Sequence, residues 1–297
     1  MKRLWYIVLI GLVLTACTVN PPQPDSLVLE GWIDADGYPV VLIHRSYVLA
    51  NAPDSVRSLE EIVMDQLIPF GKVVVSDDEQ EVILTGRLDT LYLPPYSYSS
   101  LNMVGQVGKT YTVTAKYKDL YATATTTIPP VAYIDSLVIK QTFKTRVSVT
   151  AYMSDVKPDE ESYYALFLRE YGTKQFVLCP FGVFDSQKAV DGKMELTVFN
   201  PLTDYRTIEN VNSNFHRDTV PSDTIKEYQL KVARIDYPSY LFWKAYNEQV
   251  VTSGIVFVPV FKNMPSNVEG GIGYFSGMGS SVYRFNLQTD TTYVFLH

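Results

Sequence analysis

From Leu27 onward the chain is built of short apolar and β-branched runs that alternate two kinds of residue and stop at turn formers. Val147, Val149 and Ala151 alternate with Arg146, Ser148 and Thr150; Tyr111, Val113, Ala115 and Tyr117 alternate with Thr112, Thr114 and Lys116. A period of two puts every apolar side chain of a run on one face of a strand, and that face has to be buried against a second layer. Many short strands of this kind, separated by turns, build an antiparallel sandwich or barrel. The regular strand–helix alternation that marks a parallel α/β sheet is missing. The chain is therefore expected to be mainly β.

The first two runs, 27–33 and 38–44, flank Asp34-Ala35-Asp36-Gly37. An Asp-Gly step between apolar runs predicts a hairpin whose two central turn residues take positive φ. The two Asp do not open a calcium loop, because the third ligand position and the closing Glu are absent. Runs 72–76 and 81–85 form a second candidate hairpin around Asp77-Asp78-Glu79, and 111–117 pairs with 120–128. Pro129-Pro130 then marks the internal boundary, since neither residue can donate to a ladder. Further strands are predicted at 135–140, 145–152, 163–170, 174–179, 193–199, 228–235, 281–287 and 292–296. The polar stretch 204–223 reads as a surface connection. Helical spacing predicts a short helix over 53–67. A second over 238–251 has Leu241, Phe242, Ala245 and Gln249 on one side and Ser239 as candidate cap.

Chemistry is harder to find. A net charge of −7 argues against a nucleic-acid binder that works by neutralising phosphates. There is no His-Glu-x-x-His, no Cys-x-x-Cys and no Gly-x-Ser-x-Gly, and only three His in all. Asp159-Glu160-Glu161 beside Pro158 reads as a solvated turn rather than a glycosidase pair. Cys179, in the apolar run Phe176-Val177-Leu178-Cys179-Pro180, reads as a small buried hydrophobe. The glycine cluster at 270–279 lacks a phosphate-loop register and a following helix. It predicts a β-bulge or loop where backbones approach closely, the alternative being a ligand-facing loop that exposes Tyr274 and Phe275. The 22 tyrosines include Tyr92, Tyr96 and Tyr98 around Pro94-Pro95, which serve either as strand-face packing or as an outward binding platform. No enzyme, no cofactor and no metal site is expected.

The N-terminus carries an address. Lys2 and Arg3 precede an apolar run over 4–14, and Thr15-Ala16-Cys17 closes it. This is the layout of a secretory signal peptide, too short for a membrane span of about 20 apolar residues. Leu14-Thr15-Ala16-Cys17 resembles the bacterial lipobox, which makes Cys17 the expected lipid-attachment residue and 1–16 the leader. Pro21, Pro22 and Pro24 make 17–26 an extended, stiff tether between the lipid and the folded part.

Several stretches in order resemble one family. They are the lipobox, Leu27-Val28-Leu29-Glu30-Gly31-Trp32-Ile33, Gly108-Lys109-Thr110-Tyr111-Thr112-Val113, Ala124-Thr125-Thr126-Thr127-Ile128-Pro129-Pro130 before Ile134-Asp135-Ser136-Leu137, and a closing pair, Pro265-Ser266-Asn267-Val268 with Gly271-Ile272-Gly273-Tyr274-Phe275. The chain is similar over nearly its whole mature length to the DUF4249 lipoproteins of Bacteroidota, a family without an assigned function. The resemblance implies an outer-membrane lipoprotein with an immunoglobulin-like β-sandwich over 27–130, followed by a β-rich sandwich or barrel with one short packed helix over 131–297. It implies, by association, an accessory role beside a TonB-dependent barrel, with the membrane held through the lipid; the many polar-tipped aromatic residues make a glycan or peptide the expected ligand. The alternative is a structural or adhesive surface lipoprotein. Thr18-Val19-Asn20-Pro21 lacks the acidic residues that follow the lipid Cys in surface-exported members of the phylum, so the periplasmic and cell-surface faces both stay open.

Overall fold

The computed structural model describes residues 26–46, 64–89, 92, 94–142, 146–154, 156–157, 159–172, 175–199, 227–253, 264–286 and 292–295. Cys17, the expected leader and nearly all of the tether, the helix expected at 53–67 apart from its last residues, and the connection at 204–223 lie outside the described residues. In chain order the strands are β1 (Leu27–Asp34), β2 (Val40–Arg45), β3 (Lys72–Ser76), β4 (Glu81–Ile83), β5 (Thr85–Leu88), β6 (Tyr96–Ser99), β7 (Thr110–Tyr117), β8 (Leu120–Thr127), β9 (Ser136–Thr142), β10 (Arg146–Met153), β11 (Tyr163–Glu170), β12 (Val177–Asp185), β13 (Met194–Phe199) and β14 (Glu227–Ile235). Helix α1 (Tyr237–Ser253) follows, then β15 (Val268–Glu269), β16 (Ile272–Asn286) and β17 (Thr292–Phe295).

One eight-stranded sheet, ordered β12-β11-β14-β16-β1-β2-β6-β5, carries two smaller sheets on its inner face. The five-stranded sheet β15-β8-β7-β3-β4 closes a core with Leu27, Leu29, Ile33, Val41, Ile43, Tyr98, Tyr111, Val113 and Phe275. The four-stranded sheet β13-β10-β9-β17 closes a second core with Val149, Leu166, Cys179, Leu196, Leu230, Val232 and Phe285. Both cores follow from period-2 alternation, which sends odd and even residues to opposite faces. Among the described residues the molecule is thus a mainly β, sandwich-like structure with one long packed helix. The boundary expected at Pro129-Pro130 falls between the cores: Ile128 packs in the first, Ala132 and Ile134 in the second. β15 and β16 nevertheless return from the far end of the chain to complete the first sandwich, with β1 and β16 paired parallel.

β16 makes this sharing possible. Its 15 residues extend about 50 Å, long enough to cross both sandwiches. Residues 272–278 pair with β1 and residues 278–286 pair with β14 on the other edge, so the two halves of the sheet are staggered along it. Where β14 leaves the sheet after Ile235, side chains take over its edge. The Asn267 amide donates to the Phe275 carbonyl at 2.8 Å and accepts from the Phe275 N–H at 3.0 Å, as a strand residue would. The Thr126 hydroxyl accepts from the Gly277 N–H at 2.7 Å, and Ala132 N–H donates to the Gly279 carbonyl at 3.0 Å.

The glycine cluster is therefore the first half of a central strand, not a loop. Its glycines serve the close approach expected of them: a Cβ at Gly277 or Gly279 would collide with backbone oxygens of Thr127, or of Pro129 and Pro130. Phe275 is fully buried in the first core and Tyr274 is buried on the opposite face, so the alternative of a loop that exposes both rings does not hold.

Three local expectations are also corrected. Only Asp36 in the first turn has positive φ (+58°); Gly37 does not, and its N–H bonds to Asp34 O at 3.0 Å. The strand expected to stop at Cys179 runs on to Asp185, because the register shift opposite Ala165 and Phe167 absorbs Pro180 and the positive φ of Phe181 in a bulge. An edge strand tolerates that proline, since its missing N–H leaves no ladder bond broken. Helix α1 is capped by Asp236 rather than Ser239: Asp236 Oδ1 accepts from the Ser239 N–H at 3.0 Å, while the Ser239 hydroxyl is buried with no partner among the described residues. Asp236 Oδ2 accepts from Thr126 at 2.6 Å and so ties the helix start to the crossing point on β16.

His44 lies buried on β2, where its Nδ1–H donates to the Arg45 carbonyl at 3.0 Å, and burial pushes its pKa down to about 4. The folded state thus refuses a proton that the unfolded chain accepts below about pH 6.5. The stability from its neutral ring is complete above that pH and is lost as pH falls toward 4. Urea unfolding at pH 7.5 and at pH 5 is expected to differ by about 2 kcal/mol from this residue, and His44→Gln should remove that part of the difference. Gly279→Ala is expected to destabilise by at least about 2 kcal/mol, as overpacking against rigid backbone does; the same unfolding measurement checks it.

Candidate functional site

Among the described residues, the outer face of the large sheet is only partly covered. α1 packs over its β11–β12 side through Phe242, Trp243 and Tyr240, against Ala165, Phe167, Ala233, Ile235 and Met278. Beside the helix an open cavity of about 790 Å³ has the sheet as its floor. Alternation on β1 sends Leu27, Leu29 and Ile33 inward, and it sends Glu30, Trp32 and Asp34 into the cavity. The same rule places Val40 and Leu42 of β2, Phe167 and Arg169 of β11, Lys231 of β14, and Tyr274 and Met278 of β16 on that floor.

The lining is rich in aromatic rings. Trp32 and Tyr92 meet at 5.9 Å between centroids, Phe167 and Trp243 edge to face at 5.4 Å, and Trp243 and Tyr274 at 4.9 Å. Such offset and edge contacts hold rings in fixed orientation; Phe167, Trp243 and Tyr274 are buried, and Trp32 and Tyr92 are half-buried. Trp243 is only 4% exposed, and its indole N–H has no hydrogen-bond partner among the described residues.

A buried ion pair stands in the middle of the floor. Lys231, 5% exposed, sits 2.6 Å from Asp34 Oδ1 and donates to Oδ2 at 2.8 Å; Ser280 donates to Oδ1 at 2.7 Å. The carboxylate of β1 is thereby held from β16 and β14, across the stagger of the sheet. The Lys231 ammonium also lies 5.7 Å from the centroids of Phe167 and of Phe176. Arg169 lays its guanidinium 4.2 Å over Phe176 and donates from Nε to Gln229 at 2.7 Å. Burial lowers its pKa from the usual arginine range. At the β5 rim Arg87, its side chain 64% exposed, reaches buried Asp89 at 3.4 Å. Burial, and then the charge of Asp89, raises the Tyr92 phenol, while the charges of Arg87 and Arg169 act to lower it.

The three tyrosines singled out in the sequence part company. Tyr92 lines the cavity; Tyr96 packs against the first core; Tyr98 is buried in it, its hydroxyl donating to Ile68 O at 2.5 Å. Of the glycine-cluster pair, Tyr274 faces the cavity and Phe275 the core. Cys179 is fully buried, and burial pushes its thiol pKa up. Trp32, Lys231 and Arg169 were not legible as site residues. Each sits in a strand like any other, and only the register brings them together. The one sequence signal was a charged residue, Lys231 or Arg169, in an otherwise apolar strand pattern. Among the described residues no group of three or more His, Cys, Asp and Glu is placed to hold a metal ion.

A family model, "Domain of unknown function (DUF4249)", matches residues 16–284. The chain belongs to the DUF4249 family. No curated protein matches it. The matched span takes in β1 and all of β16 up to Arg284, and so includes the first core, the second core except Phe285, the crossing on β16 and every residue of the cavity lining.

Asp34→Asn leaves the Lys231 ammonium buried without its counter-charge. It is expected to cost about 3 kcal/mol, and the double variant Asp34→Asn with Lys231→Met should recover much of that loss in thermal unfolding.

Proposed function

We propose that this DUF4249 protein is a non-catalytic binding module, held to the outer membrane by lipid on Cys17, that presents the cavity on its large sheet to a glycan or peptide and serves a TonB-dependent transporter as accessory. The observation that carries the reading is the cavity itself: about 790 Å³, floored by a rigid sheet, with aromatic faces beside fixed charges. Clefts of this size with a few placed polar groups among aromatic side chains are how proteins hold small organic ligands. The lipobox and the proline tether support an anchored protein that holds such a cavity off a bilayer.

The test has two arms. Tagged full-length protein, recovered from native membranes in mild detergent, is expected to bring down an outer-membrane barrel, and Cys17→Ala is expected to lose it. Recovery of only itself would move the reading to the structural or adhesive alternative. In the second arm, purified protein is titrated with neutral polysaccharides and with peptides. Trp32→Ala is expected to lose whatever binding wild type shows, and binding indifferent to Trp32 would remove the cavity from the proposal.

A further inference from the structure

Resting on the ligand-site reading above, we infer that the cavity takes an acidic sugar, a hexuronic-acid unit whose carboxylate meets Arg87 while its ring lies against Trp32 and Tyr92.

The hydrogen-bonding balance of the lining points this way. Arg87, Arg169, Lys231 and the Trp243 indole can only donate, whereas Glu30 and Asp34 are the carboxylates that can accept. Both oxygens of Asp34 are already engaged, by Lys231 and by Ser280. One donor of the lining is buried and unpartnered among the described residues, the Trp243 indole N–H. A buried donor left unpaired costs about 1–3 kcal/mol, so the site favours a ligand that brings acceptors. A carboxylate is acceptor-only and matches the planar fork of a guanidinium.

The position of the cations selects where that carboxylate goes. Lys231 is deep and paired, so it sets the floor rather than binding the ligand directly. Arg87 is exposed at the rim with one long contact of 3.4 Å, leaving donors of its fork for an anion. Arg169 is fixed by Phe176 and Gln229, whereas Arg87 and the Tyr92 N–H both bond to Asp89, which sets the rim guanidinium beside the ring that meets Trp32. An anion held there has a ring platform immediately beside it. A sugar ring offers an apolar face of C–H bonds to such a platform, and its hydroxyls can accept from the indole.

The probe is a short oligogalacturonate, compared by calorimetry with its fully methyl-esterified form, which keeps ring and linkage and removes the charge. Wild type is expected to bind the acid at least about tenfold more tightly than the ester, in line with the worth of a charged hydrogen bond, and added salt should narrow the gap. Arg87→Gln, at an exposed side chain, is expected to fold normally and to lose most of the preference while leaving the ester unchanged. Trp32→Ala should weaken acid and ester together. Equal affinity for acid and ester overturns the inference. Failure of both forms, while neutral polysaccharides or peptides bind in a Trp32-dependent way, also overturns it and leaves the ligand site standing. Failure of every probe overturns the ligand site with it.

Discussion

The structure depends on one crossing of backbones. The chain leaving β8 passes over β16 so closely that only glycine fits at Gly277 and Gly279 beneath Thr127, Pro129 and Pro130. Just before its pairing with β14 begins at Met278, the open edge of β16 at Phe275 and Gly277 is satisfied by the side chains of Asn267 and Thr126 instead of by a strand. Buried backbone groups must find partners, so these side chains are what allow a single strand to serve two sandwiches. Thr126 then hands the contact on to Asp236, which starts the helix. Two cores, one shared sheet and the helix are thus joined through a few residues.

The stagger of β1 and β14 along β16 has a second consequence. It leaves the outer face of the sheet as a broad floor, with the helix over one side of it and the turn after β1 and the β6 loop at the other. A sheet floor holds side chains more rigidly than a loop does, which suits a site built from ring faces and fixed charges. The buried Asp34–Lys231 pair adds no obvious net stability, because desolvation offsets most of its attraction. What it does is hold three neighbouring strands at one registration under the cavity, where the aromatic contacts depend on position.

Much of the fold was legible locally. The alternation of Tyr111, Val113 and Ala115 gave β7 and its buried face, and the Asp77-Asp78-Glu79 turn gave the hairpin of β3 and β4. Errors arose where tertiary partners override local preference. Pro180 looked like a strand end, yet an edge position lets the ladder resume after a bulge. The glycines of 270–279 looked like a loop, yet backbone crossing them makes glycine the residue a central strand needs there. Ser239 looked like a cap, yet Asp236, already fixed by Thr126, accepts from the Ser239 N–H and caps the helix three residues earlier.

The sequence by itself determined the class of fold, most strand positions, the turns, and through its ordered motifs the family. These are properties of short windows: a two-residue period, a proline, an Asp-Gly step, each act over a few neighbouring residues. The cavity was decided only by tertiary structure. Trp32, Arg169, Lys231 and Tyr274 come from four strands far apart in the chain, and nothing local distinguishes them from other strand residues. They share a floor because β1 lies parallel to β16 and β14 lies antiparallel beside it. Strand order and register are set by long-range pairing and by the fit of one backbone over another, and neither leaves a trace in the window around any one of them.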